Sequence, residues 1–113
     1  MKTVTIPFLS RFERALKNGR KFMTSRTRKF GESGDHFIAF GQEFRIVSVY
    51  KMPLAEVADL YYGPEGFVSG NEFIECWNQI HSRKPFNRDV PQTVWVHQFT
   101  KVSTEQSQES KQR

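Results

Sequence analysis

The sequence is poor in cysteine, in long apolar runs and in glycine-rich signatures, and each shortage removes a class of protein. Cys76 is the one cysteine among 113 residues. An internal disulfide is impossible, and no cysteine-rich metal knuckle can be assembled. A reducing, cytoplasmic compartment is the expectation. No apolar run approaches the ~20 residues of a membrane-spanning helix, so no membrane association is expected. The opening Met1-Lys2-Thr3-Val4-Thr5-Ile6-Pro7 has no long apolar stretch and predicts no secretory leader. Neither GxGxxG nor GxxxxGK followed by Ser or Thr occurs, so no nucleotide loop is present. GxSxG is absent, which removes the serine nucleophile elbow. His36, His81 and His97 are far apart and form neither HxxxH nor HExxH. No metal site and no cofactor are expected.

What is present is one domain's worth of chain with an uneven charge. A chain of this length buries roughly 60–70% of its unfolded surface and folds without staples. Lys and Arg number 17 against 12 Asp and Glu, a net charge of +5. Between residues 11 and 29 there are eight basic residues (Arg11, Arg14, Lys17, Arg20, Lys21, Arg26, Arg28 and Lys29) and one acidic residue, Glu13. The rest of the chain is slightly acidic. Clustering of this kind points to a polyanion, nucleic acid first; simple solubility is the competing reading.

No internal repeat is visible. From Ser103 to Arg113 there is no large apolar residue, so a disordered polar tail is expected over 103–113 and a folded domain over 1–102. Val4, Ile6 and Phe8 alternate with Thr3, Thr5 and Pro7, predicting a short first strand. Ser10 and Glu13 have capping-box spacing, and Phe12, Ala15 and Leu16 line one face of the helix that would follow, closed by Gly19. An extended segment over 21–26 and a basic loop over 27–34 come next. His36–Phe40, too apolar for an open face, and Glu43–Tyr50 read as a hairpin turning at Gly41-Gln42. Pro53 suits a first helical position ahead of the stripe Leu54, Val57, Ala58 and Tyr61. Ser69 and Glu72 form a second capping box, before a helix with Phe73, Trp77 and Ile80 on one face. Thr93–Val102 is the last strand, with Val94 and Val96 on one side and Trp95, His97 and Phe99 on the other. Antiparallel neighbours with inserted helices give an α+β fold with a small barrel-like sheet.

Few residues carry chemistry. Cys76 reads as packing, and His97, among aromatics, as a hydrogen-bonded core or rim histidine. The remaining polar set is Lys21, Thr24, Ser25 and Arg26, with Glu65 in the later loop. A lysine with a burial-lowered pKa, a threonine hydroxyl and a carboxyl held as a proton donor would suffice for acyl transfer. The competing reading is surface cations, a strand threonine and a solvated loop glutamate. Spacing sets a condition on the first reading. Lys21 and Thr24, three apart, would face opposite sides of a regular strand. They share a cleft only if the segment bulges or if Lys21 still belongs to the turn after Gly19.

In this order the residues resemble the ASCH domain family, from about Val4 to Val102. The marks are Pro7-Phe8, Gly19-Arg20-Lys21, Met23-Thr24-Ser25-Arg26, Gly31, Gly34-Asp35, Glu65-Gly66-Phe67, Ser69, Glu72-Phe73, Trp77, Ile80-His81 and Val94-Trp95-Val96-His97-Gln98-Phe99. The resemblance implies a PUA-like small β-barrel of about five to six mostly antiparallel strands with three short helices. It also implies a cleft beside the barrel that binds RNA or modified bases. Some ASCH proteins are amidohydrolases that deacetylate cytidine acetylated on its exocyclic amine. Their motif carries over residue by residue as Lys21 the proton acceptor, Thr24 the nucleophile and Glu65 the proton donor. The chain departs from it at Phe22, where those enzymes have threonine, and in an extra apolar helix over 54–61. Some relatives are ribonucleases, but no residue here marks such a site.

Three readings follow. One is an RNA- or nucleoside-binding domain with a basic cleft around residues 20–26 and Glu65, using Arg20, Phe22, Ser25, Arg26, Arg28, Lys29 and Phe67, with Tyr62 or Trp95 as further stacking candidates. The alternative is an amidohydrolase acting on acetylated cytidine through Lys21, Thr24 and Glu65. The third is an accessory protein without pocket chemistry. The expected partner is RNA or a modified nucleoside, and the expected state is a monomer.

Overall fold

The computed structural model describes residues 1–102; the tail expected over 103–113 lies outside them. The chain runs through a 3-10 turn (Ser10–Phe12), α1 (Glu13–Lys17), β1 (Met23–Arg26), β2 (His36–Ala39), β3 (Gln42–Pro53), α2 (Leu54–Leu60), α3 (Gly70–Ile80) and β4 (Thr93–Lys101). The strands form one curled antiparallel sheet in the order β1-β4-β3-β2. This is the α+β, barrel-like class expected, with four strands among the described residues.

The expected first strand is reduced to a bridge between Thr3 and His36. Pro7 has no N–H to give a ladder, and its carbonyl oxygen accepts from Arg26 Nη2 at 2.7 Å. The β2–β3 hairpin turns one residue earlier than expected. Ala39 pairs with Gln42, and Phe40 and Gly41 both take positive φ, 52° and 77°. Positive φ at both central residues is the primed turn whose twist matches the flanking strands. Within β2, Phe37 and Ala39 are buried and Ile38 is exposed, so this strand has an open face after all.

The centre of the core is aromatic. Phe37 stacks on Phe44 at 5.2 Å, and Phe99 meets both rings edge-on. Beside them β3 carries a bulge between Ile46 and Ser48, which increases the local twist and bends the strand. The alternation expected in β4 fails at one end. Val94, Val96, His97 and Phe99 are all buried, because the curled sheet is covered on both sides at His97.

Of the two capping boxes, one half-forms and one does not. Ser69 Oγ accepts from the Glu72 N–H at 3.2 Å, while Glu72 reaches the Val68 N–H rather than returning to Ser69. Ser10 makes no cap, since the first turn is 3-10 and Glu13 pairs with Lys17 instead. Pro53 ends β3 in an extended conformation and sits one place before α2. On α3, Phe73, Cys76 and Trp77 are buried, and Ile80 is half-exposed.

Candidate functional site

Gly19, at φ +82°, ends the first helical segment and turns the chain. The Lys21 N–H then returns to the Ala15 carbonyl, and β1 begins only at Met23. Lys21 therefore belongs to the turn, which meets the condition that the spacing set. After α2 a tight turn docks on this segment: the Pro64 carbonyl accepts from both Phe22 and Met23 N–H groups, at 2.9 and 3.1 Å. The docking carries Glu65 to Lys21 across 44 positions of sequence.

Lys21 and Glu65 are both buried, and their charged groups are 3.6 Å apart. Lys21 Nζ donates to the Met23 and Glu65 carbonyl oxygens at 2.8 and 2.6 Å, and stands 4.6 Å from the Phe12 ring centroid. Ser25 Oγ donates to Glu65 Oε2 at 2.7 Å. Gly66, at φ +101°, lies against the lysine stem; a Cβ there would meet Lys21 Cδ at 3.2 Å. Burial dominates both ionisations. It lowers the Lys21 ammonium from 10.5 to about 8, with Glu65 opposing. It raises the Glu65 carboxyl above its usual range, with Lys21, Ser25 and Arg26 opposing. Both shifts favour the uncharged forms.

Thr24 is buried beside them. Its Oγ1 accepts from Arg26 Nε at 3.1 Å, which leaves the threonine proton free to be donated. Arg26 lies over the Phe8 and Phe30 rings at 5.0 and 5.5 Å. His97 backs this wall. Its Nε2 accepts from the Phe30 N–H at 3.0 Å and its Nδ1 faces the Thr24 carbonyl at 3.3 Å. The ring is therefore neutral with its proton on Nδ1, and burial lowers its pKa. Of the core or rim positions expected it takes the core one, and it ties the loop after β1 to the sheet.

These groups open onto a cavity of about 370 Å³. Lys21, Thr24, Ser25, Arg26, Thr27, Arg28 and Glu65 line it, and the rest of the lining is mostly aromatic, with Pro7, Leu9, Cys76 and Ile80 among the rings. Phe67 belongs to the aromatic part, edge-on to both Phe12 and Phe73. Three residues expected at the cleft are elsewhere. Arg20 is exposed in the turn after Gly19. Phe22 lines a different groove, with Phe44 and Phe99. Lys29 pairs with Glu32 at 2.6 Å and covers Trp95. Tyr62 and Trp95 also lie outside the cavity. Basic side chains thus hold one end of a largely apolar pocket.

Sequence reasoning missed the opposite wall, where Phe73, Cys76, Trp77, Ile80 and His81 of α3 and its C-cap face the cavity. The signal was the three-and-four spacing from Phe73 to Ile80. That spacing predicts a core stripe, and Phe73 and Trp77 serve as core and lining at once. Among the described residues no cluster of three or more His, Cys, Asp or Glu is placed to hold a metal. No helix among them is long and apolar enough to cross a membrane.

A curled antiparallel sheet with a side cavity between β1 and α3 defines an α+β half-barrel. A solved ASCH domain from Lactobacillus crispatus superposes with a TM-score of 0.59 at 12% identity, covering 88% of this chain and 79% of that one. The hypothetical protein PH0355 gives 0.66 at 14% identity over 90% of this chain and all of its own. Protein EF3133 from Enterococcus faecalis, assigned to family DUF984, gives 0.59 at 16% identity over 95% and 80%. The ASCH resemblance thus holds at the level of the fold. No family model and no curated protein matches the sequence.

Proposed function

We propose that the cavity between β1 and α3 binds a nucleoside. One observation carries this reading: a single cavity has aromatic walls and, at one end, a buried set of polar groups, Lys21, Thr24, Ser25 and Glu65. Flat apolar walls suit a base, and a few convergent polar groups fix its edge. The lining is mostly apolar, and beyond the buried Lys21 only Arg26 and Arg28 of the basic segment reach it, too few for phosphate contacts to dominate. Binding of cytidine or acetylated cytidine should therefore change little with salt, whereas a phosphate-driven RNA complex would weaken steeply. Calorimetric titration at low and high salt tests this; affinity that collapses with salt removes the reading.

A second reading is hydrolysis of an acyl group on the exocyclic amine, as in the amidohydrolases that the sequence resembles. The specific observation favouring it is a lysine brought to about pKa 8 beside a carboxyl raised by burial. Near neutrality such a pair supplies a base and an acid at once. Thr24 Oγ would attack the acyl carbon as its proton passes to Lys21. The carbon–nitrogen bond would break as Glu65 protonates the amine. Water would then attack the threonine ester, giving its proton to Glu65, while Lys21 returns a proton to the Thr24 oxygen. Lys21 Nζ donates to the Met23 and Glu65 carbonyls and not to Thr24 Oγ1, so this transfer needs ligand or water to close the gap. Turnover of acetylated cytidine by the wild type, lost in folded Thr24→Val, Lys21→Met and Glu65→Gln, is the expected result. Turnover surviving Thr24→Val would remove this mechanism.

A further inference from the structure

We propose that Trp77 and His81 form a sugar-recognition subsite at the end of the cavity away from Lys21. The inference rests on the nucleoside reading and extends it to a part of the ligand that reading does not use. A row of rings runs from the polar end outwards. Lys21 stands over Phe12, Phe12 meets Phe67, Phe67 meets Phe73, Phe73 stacks on Trp77, and Trp77 stacks on His81 at 3.9 Å. Trp77 is 4% exposed, and its indole N–H is the one buried side-chain polar group without a hydrogen-bond partner among the described residues. Buried donors are nearly always paired, and an orphan beside a cavity calls for a partner supplied from outside the fold. His81 Nδ1 lies 3.1 Å from the Trp77 carbonyl, which can only accept. In the neutral ring the proton is therefore on Nδ1 and the Nε2 lone pair is left as an acceptor.

A donor and an acceptor thus belong to two stacked rings that line the cavity. A hydroxyl satisfies both, since it accepts and donates at once. With the base's exocyclic amine at Lys21, Thr24 and Glu65, the remaining hydroxyl-bearing part of a nucleoside is its sugar. Recognition of the sugar would separate a nucleoside from the free base.

Calorimetric titration of the full chain with acetylated cytidine and acetylated cytosine tests this. The wild type should bind the nucleoside about five- to tenfold more tightly than the base, the worth of one to two net hydrogen bonds. Trp77→Phe keeps a ring and removes the N–H. It should weaken nucleoside binding severalfold, so that the preference over the base shrinks, and leave the base unchanged. In the ¹H–¹⁵N spectrum of the wild type, the Trp77 indole resonance should move with the nucleoside and stay in place with the base. Equal affinity for both ligands, with that resonance unmoved, overturns the subsite and leaves the nucleoside reading standing. Failure of both ligands to bind overturns the two together.

Discussion

Lys17 and Lys21 are four residues apart and live in different solvents. Lys17 pairs with Glu13 at 2.8 Å, with both side chains 48% exposed. Lys21 faces Glu65 at 3.6 Å, with side chains 2% and 4% exposed. The shorter pair is the weaker, because water screens it and two mobile side chains must be held still. The longer pair has lost its water, so each partner depends on the other and on the carbonyls around it. A run of basic residues is thus not one electrostatic object. Burial, which charge counting cannot see, separates the cations that coat the surface from those that make a site.

The largest expected effect comes from breaking the buried pair. Glu65→Ala leaves Lys21 without its partner and should cost about 3–5 kcal/mol in denaturant unfolding. Lys21→Met with Glu65→Leu should recover most of that, since an apolar pair of similar volume carries no desolvation cost. If Glu65→Ala proves as mild as a surface change, the distinction between the two lysines disappears.

A pH titration sharpens the same contrast. Lys21 is held at about 8 in the fold against an ordinary value of 10.5. Between those values the unfolded chain binds more protons than the folded one, so the Lys21 contribution to stability rises with pH across that window. Chemical denaturation from pH 8 to 10 should show this rise, and Lys21→Met should flatten it. Tyr50, whose phenol burial holds above its usual range, acts in the opposite sense at the top of the window. A wild-type curve identical to that of Lys21→Met would contradict the burial-driven shift.

Smaller still is Gly66→Ala. A Cβ at φ +101° is strained and presses on the Lys21 stem, with an expected cost of about 1–3 kcal/mol. Glu13→Ala closes the series: removal of the exposed partner should change stability by about 0.5 kcal/mol or less. Both are read from urea unfolding midpoints, and a Glu13→Ala loss as large as that of Gly66→Ala would mean that exposure does not set the order.

What could be read from the sequence divides along similar lines. Local rules worked where one element settled the matter. Ser69 capped α3, Gly19 ended the first helical segment, and the β-branched and aromatic run of β3 located the hairpin to within one residue. They failed where a distant group competed. Ser10 lost its cap to a 3-10 turn and a Glu13–Lys17 pair. The strand expected at 4–8 lost its ladder to Pro7 and Arg26. The site was legible in part. Lys21 and Thr24 are close in sequence, and their spacing stated the turn that would let them share a cleft. Glu65 could be placed only by resemblance, because no local pattern ties a loop glutamate to a lysine 44 residues away. Arg20 and Lys29 belong to the basic segment, but charge alone does not bring a side chain to the cavity, and neither lines it. The face of Phe73, Trp77 and Ile80 predicts a core, because a helical stripe of apolar side chains reads the same whether it faces a core or a cavity.

The most direct test is to titrate the ¹⁵N-labelled protein with acetylated cytidine at roughly 50 and 300 mM salt, a range over which phosphate contacts lose orders of magnitude in affinity. Saturable shifts confined to the amides of β1, α3 and the Glu65 turn, with nearly equal affinity at both salts, are expected of a nucleoside in this cavity. Shifts that spread over the exposed Arg14, Lys17 and Arg20 and fade at the higher salt would contradict it, and would return the basic segment to the role of a surface for phosphates.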